Sequence, residues 1–229
     1  MMSLISKDSL GIMEKRQIVY TFLKRIYEKE IPEVFIAEMP VKLKPLLDIT
    51  AVMPQSEAAQ AVRELIQFTD SIPSQDLATL EVKLAADYAQ LFLSINKVPA
   101  HPSESVYLEG TMMQYSRDEV LRTYWSFGVD KVIDFTEPED HIAVELGFMA
   151  YLCGRAAESL KNNRTTEVEK YLQGQIDFLE KHLTRWVPGL VKDIINVGQT
   201  PFYKAIGVIT TEFLQMDLSA TRGLLKQLK

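Results

Sequence analysis

Apolar residues recur along this chain at spacings of three and four, the period of a helix face. Ile12, Val19, Leu23 and Ile26 mark one face of a first helix over about residues 9–28. A second, short helix is predicted from Pro32 towards Leu47. Ser56 caps a third, with Ala59, Val62, Leu65 and Ile66 turned inward. Leu77, Leu80, Leu84, Tyr88, Leu91 and Phe92 trace a long amphipathic helix. Three capping boxes follow. Ser116 with Glu119 opens a helix through Phe127, where Gly128 stands ready to end it. Thr136 with Glu139 opens another to about Leu160, and Thr166 with Glu169 a third. Phe202, Ile206, Ile209, Phe213 and Met216 stripe the last long helix.

No Asn-Gly or Asp-Gly turn joins alternating segments, so nothing predicts a strand pair. Prolines fall between helices or in first turns. The expectation is an all-α chain of about nine to eleven helices forming a single compact domain over 1–229. The longest non-periodic stretch, Asn96–Ser105 with Pro99 and Pro102, is the expected hinge or helix-swap loop.

Composition narrows the function. A net charge of −6 supplies no general basic patch for nucleic acid. One cysteine, Cys153, allows no internal disulfide and suits a reducing compartment. The N-terminal residues have neither an apolar run nor a small-residue cleavage site, and no window reaches the ~18 apolar residues of a membrane span. The expectation is a soluble cytoplasmic protein without membrane insertion. A Gly-rich phosphate loop, a Gly-x-Ser-x-Gly elbow and a dinucleotide fingerprint are all missing, so neither a catalytic residue nor a cofactor is expected. Cys153 lies inside an apolar helix and reads as core.

Chemistry concentrates in Thr136-Glu137-Pro138-Glu139-Asp140-His141, followed by the apolar helix of Glu145, Leu146 and Met149. Capping and the helix dipole account for the threonine, the proline and the acids. They do not account for His141, because a helix start disfavours a cation; a neutral imidazole is expected there. His141 and Glu145 share a helix face and could join His101 and Glu104 around a divalent ion. That is a weak signal, since no His-Glu-x-x-His and no cysteine pair accompanies it, and no metal is expected.

These residues carry a resemblance. The pieces Tyr88-Ala89-Gln90-Leu91-Phe92, Pro102-Ser103-Glu104-Ser105-Val106-Tyr107, Glu137-Pro138-Glu139-Asp140-His141 and Pro201-Phe202-Tyr203-Lys204-Ala205-Ile206-Gly207 follow one another as in the TorD/DmsD family of redox-enzyme maturation chaperones. The likeness runs from about residue 80 to the end; the first 75 residues match only as helices. The resemblance implies an all-helical, TorD/DmsD-like fold and a cytoplasmic chaperone. Such a chaperone binds the twin-arginine signal peptide and apo-form of a molybdenum-cofactor oxidoreductase subunit, assists cofactor insertion and delays export. The family's peptide-binding positions fall here on Tyr88, Leu91, Phe92, Pro102, Asp140 and His141. Several members have Trp at the places of Tyr88 and Ser103, so the peptide preference implied here differs.

The physical requirements of a basic-then-apolar ligand add to this set. Leu91, Phe92 and Tyr107 can form an apolar floor. Glu104, Glu109, Glu137, Glu139 and Asp140 can form an acidic rim for arginine. Asp140 is expected to contact a signal arginine or to orient His141, and His141 to bond peptide backbone. The competing expectations are a metal-binding enzyme using His101, Glu104, His141 and Glu145, and a helical adaptor in which the polar run only caps a helix. A monomer and a dimer swapped through 96–105 are both compatible with the sequence.

Overall fold

The computed structural model describes residues 4–51, 53–73, 76–93, 98–130 and 135–228. The described chain is helical: α1 (Leu4–Glu28), α2 (Glu33–Ala37), α3 (Met39–Lys42), α4 (Lys44–Thr50), α5 (Glu57–Asp70), α6 (Leu77–Phe92), α7 (Glu104–Glu109), α8 (Tyr115–Ser126), α9 (Ile142–Lys161), α10 (Thr165–Phe178), a π turn (Leu179–Leu183), α11 (Thr184–Val197) and α12 (Pro201–Leu228). Among the described residues the only β pairing is an isolated antiparallel bridge, Ser103 with His141. None of the described helices is long and apolar enough to cross a membrane.

The single helix expected over residues 32–47 is broken into α2, α3 and α4. Pro40 and Pro45 stand in the first turns of α3 and α4. A proline there has no N–H to continue the preceding helix, and its fixed φ suits the first turn of a new one. Ser56 caps α5 as expected, its hydroxyl accepting from the Ala59 amide at 3.2 Å. Three of the four expected inward residues of α1, Val19, Leu23 and Ile26, are buried. Ile12 is 42% exposed, whereas Met13, Arg16, Tyr20, Leu23 and Tyr27 are buried.

The other three caps are misplaced. The N-caps of α8, α9 and α10 are Gln114, His141 and Arg164, not Ser116, Thr136 and Thr166. Ser116 sits inside α8, where its hydroxyl and amide both donate to Glu109. Gly128 does end α8. At φ +69° its amide and that of Val129 donate to the carbonyls of Trp125 and Tyr124, which satisfies two orphan acceptors.

The chain sorts into two compact units, 1–24 with 103–186 and 214–229, and 25–102 with 187–213. In the first unit α10 packs along α9, and Tyr124, Phe148 and Phe178 form an aromatic core with ring centroids 4.6–6.0 Å apart. Beside it lies a buried polar knot. Arg16 donates to both Asp217 oxygens, Nη2 at 2.8 Å, and also to Gln175 and Thr221; Tyr20 donates to the same carboxylate. Cys153 adjoins Gln175 at 3.7 Å, and burial pushes its thiol up to about 12. The thiol is core, as the sequence suggested.

In the second unit Tyr88, Phe92 and Tyr203 pack with ring centroids 5.0–6.2 Å apart, and the Tyr88 hydroxyl donates to the Tyr27 carbonyl. The Ala100 amide donates to Leu91, which ties residues 98–102 to the end of α6. Residues 96 and 97 of the expected hinge lie outside the described residues. Asp87 accepts from the amides of Gln199 and Thr200 and from the Thr200 hydroxyl, which fixes the entry to α12.

Removing one partner of the Arg16–Asp217 pair leaves a buried, uncompensated charge. Asp217→Ala is expected to cost about 3–5 kcal/mol, read as a fall in the urea midpoint at unchanged slope.

Candidate functional site

In the first unit the polar run Thr136–His141 is an irregular turn whose groups are committed elsewhere. Pro138 accepts the His141 amide at 3.1 Å, and Glu139 accepts the Tyr124 hydroxyl through its carbonyl at 3.0 Å. Asp140 accepts twice at the start of α7: its carbonyl from the Glu104 amide at 3.0 Å, its carboxylate Oδ2 from the Ser105 amide at 2.9 Å. A carboxylate at first-turn amides complements the positive end of a helix. Asp140 is therefore a cap supplied in trans, 35 residues from the amide it serves. His141 then caps α9: its Nδ1 accepts from the Ala143 amide at 3.1 Å. An accepting Nδ1 carries no proton, so the ring is the neutral Nε2–H tautomer that the helix start calls for. Phe135 meets that ring edge on at 5.4 Å.

Behind this joint lies a buried acid cluster. Glu104, Asp140 and Glu145 are each at most 1% exposed. Glu104 faces His182 of the π turn, with Nδ1 2.9 Å from Oε2; since a carboxylate accepts, Nδ1–H donates. Glu145, in the first turn of α9, accepts from Trp186 Nε1 at 3.0 Å, and Tyr107 stacks on the Trp186 ring at 5.7 Å. Burial, followed by the charge of Glu104, holds the Glu145 carboxyl well above the usual carboxylate range. Burial and the surrounding Glu145, Asp140 and Glu104 charges raise the Tyr124 phenol in the same way. His182 faces Glu104, and a proton retained on Glu145 is what makes the cluster tolerable in the interior. Asp140 Oδ1, Glu145 Oε1 and the hydroxyls of Ser103 and Ser105 are buried without a protein hydrogen-bond partner.

The ten sequence-predicted positions fall into two groups. Tyr88, Leu91, Phe92 and Pro102 belong to the second unit and are buried. Glu104, Tyr107, Glu137, Glu139, Asp140 and His141 belong to the first unit, where Glu104, Asp140 and His141 are buried and Tyr107, Glu137 and Glu139 half-buried. Glu139 is ion-paired with Arg117 at 2.5 Å. Glu109 is exposed, although it accepts from Ser116. Of the expected acidic rim, Glu109, Glu137 and Glu139 reach solvent; Glu104 and Asp140 support the backbone from inside. Glu104 and Glu145 of the metal alternative do meet, but against His182 and Trp186. Among the described residues no three His, Cys, Asp or Glu side chains converge to hold a metal ion. His182 and Trp186 were not anticipated from the sequence. Their signal was a histidine and a tryptophan four apart, one of three and one of two in the chain.

A family model described as nitrate reductase delta subunit matches residues 54–192, which spans α5 to α11 and the whole acid cluster. The chain belongs to the nitrate reductase delta subunit family. Curated relatives are named chaperone protein TorD. One from Vibrio cholerae serotype O1 (strain O395) is 27% identical over 206 residues, 89% of this chain and 90% of its own. Another from Aliivibrio fischeri is 25% identical over 213 residues, 92% and 96% of the two chains. The resemblance to the TorD/DmsD chaperones thus holds for this delta-subunit-family chain over about nine-tenths of its length, most of the first 75 residues among them. A crystal structure from Archaeoglobus fulgidus, provisionally described as a redox enzyme maturation protein, superposes with TM-score 0.47 and 18% identity over 87% of this chain and 93% of that one.

Two outcomes follow from the site. An acid whose folded-state value lies above its unfolded one stabilises fully below the ordinary carboxylate range, and loses that contribution as pH rises towards the raised value. Stability against urea is therefore expected to fall from about pH 5 upward, and Glu145→Gln, which stays neutral, to flatten that fall. Asp140→Ala strands the Ser105 amide and is expected to cost about 1–3 kcal/mol in the same assay.

Proposed function

We propose that this chain is a cytoplasmic chaperone that binds the twin-arginine signal peptide and apo-form of a molybdenum-cofactor oxidoreductase subunit. It assists cofactor insertion and delays export until the client is mature. The observation that carries the reading is family membership together with relatives, named TorD chaperones, that align over about nine-tenths of the chain. The protein acts as one domain, monomeric or swapped through residues 96–105, and performs no catalysis of its own.

The geometry divides the labour within the motif. In this reading Glu109, Glu137 and Glu139 meet the signal arginines, for which a carboxylate pair gives a bidentate partner. Tyr107 offers the adjoining apolar contact. Asp140 and His141 hold two helix starts in place beneath those acids, and act on the peptide through them. Tyr88, Leu91, Phe92 and Pro102 are reached by the peptide only if their buried faces open on binding.

Calorimetry with a synthetic twin-arginine peptide tests this. Glu137→Lys with Glu139→Lys is expected to weaken binding at least about tenfold, or 1.4 kcal/mol. A twin-lysine peptide is expected to bind more weakly than the twin-arginine one to the unaltered protein. Equal affinity in both comparisons would overturn the assignment. Capture of an oxidoreductase precursor, leader intact, on the tagged protein from respiring cells would name the client.

A further inference from the structure

A pocket of about 340 Å³ opens in the first unit beside α8, α10 and the π turn. Its walls are apolar where Phe127 and Phe178 line it and cationic where Lys170 and Lys181 do. His182 lines it too, although only 3% exposed. The volume lies in the range of small-molecule sites. The Phe127 wall packs directly on Gly174: a Cβ there would stand 2.3 Å from the ring's Cζ.

The charges define the occupant. Lys170 lies 5.3 Å from the Phe127 ring centroid, and among the described residues neither Lys170 nor Lys181 has a carboxylate partner. Asp177 lines the same pocket and takes the Gln173 amide at 2.8 Å. Two lysines against one aspartate favour a single negative charge over a doubly charged phosphate. The hydroxyl protons are already used: Thr123 donates to the Glu119 carbonyl and Ser126 to the Thr123 carbonyl. Donors to an anion must then be the lysines. Because Nδ1 of His182 is held by Glu104, Nε2 is the nitrogen left to the pocket. The π turn that carries His182 is itself a device found often at functional sites.

We infer that this pocket binds a monoanionic carboxylate carried on an apolar body. The apolar part lies between Phe127 and Phe178. The carboxylate meets Lys170 and Lys181, with the His182 ring in the same wall. The source is either a free organic acid or an acidic side chain beside an apolar one in a bound polypeptide. The inference stands independently of the chaperone reading.

Titration calorimetry with benzoate, with the neutral isostere benzamide, with the dipeptide acetyl-Phe-Glu-amide and with inorganic phosphate tests it, alongside the His182 imidazole resonances by NMR. Saturable binding of benzoate assigns a free acid, and of the dipeptide alone a polypeptide segment. Either shifts the His182 signals, exceeds benzamide and phosphate, and weakens at least about tenfold in Lys170→Ala with Lys181→Ala, an exposed pair whose removal leaves the fold intact. No saturable binding of either acid would overturn the inference. So would benzamide or phosphate binding as tightly, or indifference to the double variant.

Discussion

The joint at Asp140 is the constraint on which the functional region depends. Its carbonyl and carboxylate take the first amides of α7, and the next residue, His141, caps α9 with its own ring. Two helix starts far apart in sequence are thereby held in one register. The helix starts also bring Glu104 and Glu145 into the interior side by side. Burying carboxyls is costly unless they are hydrogen-bonded or neutralised, and both remedies are used: His182 and Trp186 as donors, and a retained proton on Glu145. The acids that remain at the surface, Glu137 and Glu139, are placed by the same turn. The polar run that looked over-provisioned for a helix cap serves two helices and a buried cluster together.

Much of this was legible. Helix existence followed from apolar spacing, because burying one stripe is what organises an α chain. The neutral state of His141 followed from the helix dipole alone. What failed were positions set by distant partners. Thr136 and Glu139 satisfy a local capping rule, yet the helix begins five residues later, because the Glu139 and Asp140 carbonyls are taken by Tyr124 and Glu104. Ser116 likewise satisfies the rule but is claimed by Glu109. Ile12 alone of the four expected inward residues of α1 is exposed, and Arg16 is core only because Asp217, 201 residues away, pairs with it. His182 went unnoticed because a π turn inserts a single residue, which leaves no mark in composition.

That inserted residue also explains how His182 and Trp186 serve neighbouring carboxyls. Residues four apart share a face in a regular helix. Here the wider turn precedes the resumption of α-geometry at Thr184, and each side chain reaches a different acid, Glu104 for one and Glu145 for the other. The aromatic neighbours Tyr107 and Phe178 then close around the two donors. Burying polar partners is expensive, and it is sustained here because each of these two donors has a defined acceptor.

Cys153 has a practical consequence. It is the chain's one thiol, wholly buried on α9 beside Gln175, and held protonated by its surroundings. A reagent that alkylates thiolates reaches it only when the helices around it part, so its labelling rate is a clock for local opening rather than for surface chemistry. The molecule carries a native reporter, placed by packing alone, that times how often its interior breathes and whether an occupant slows it.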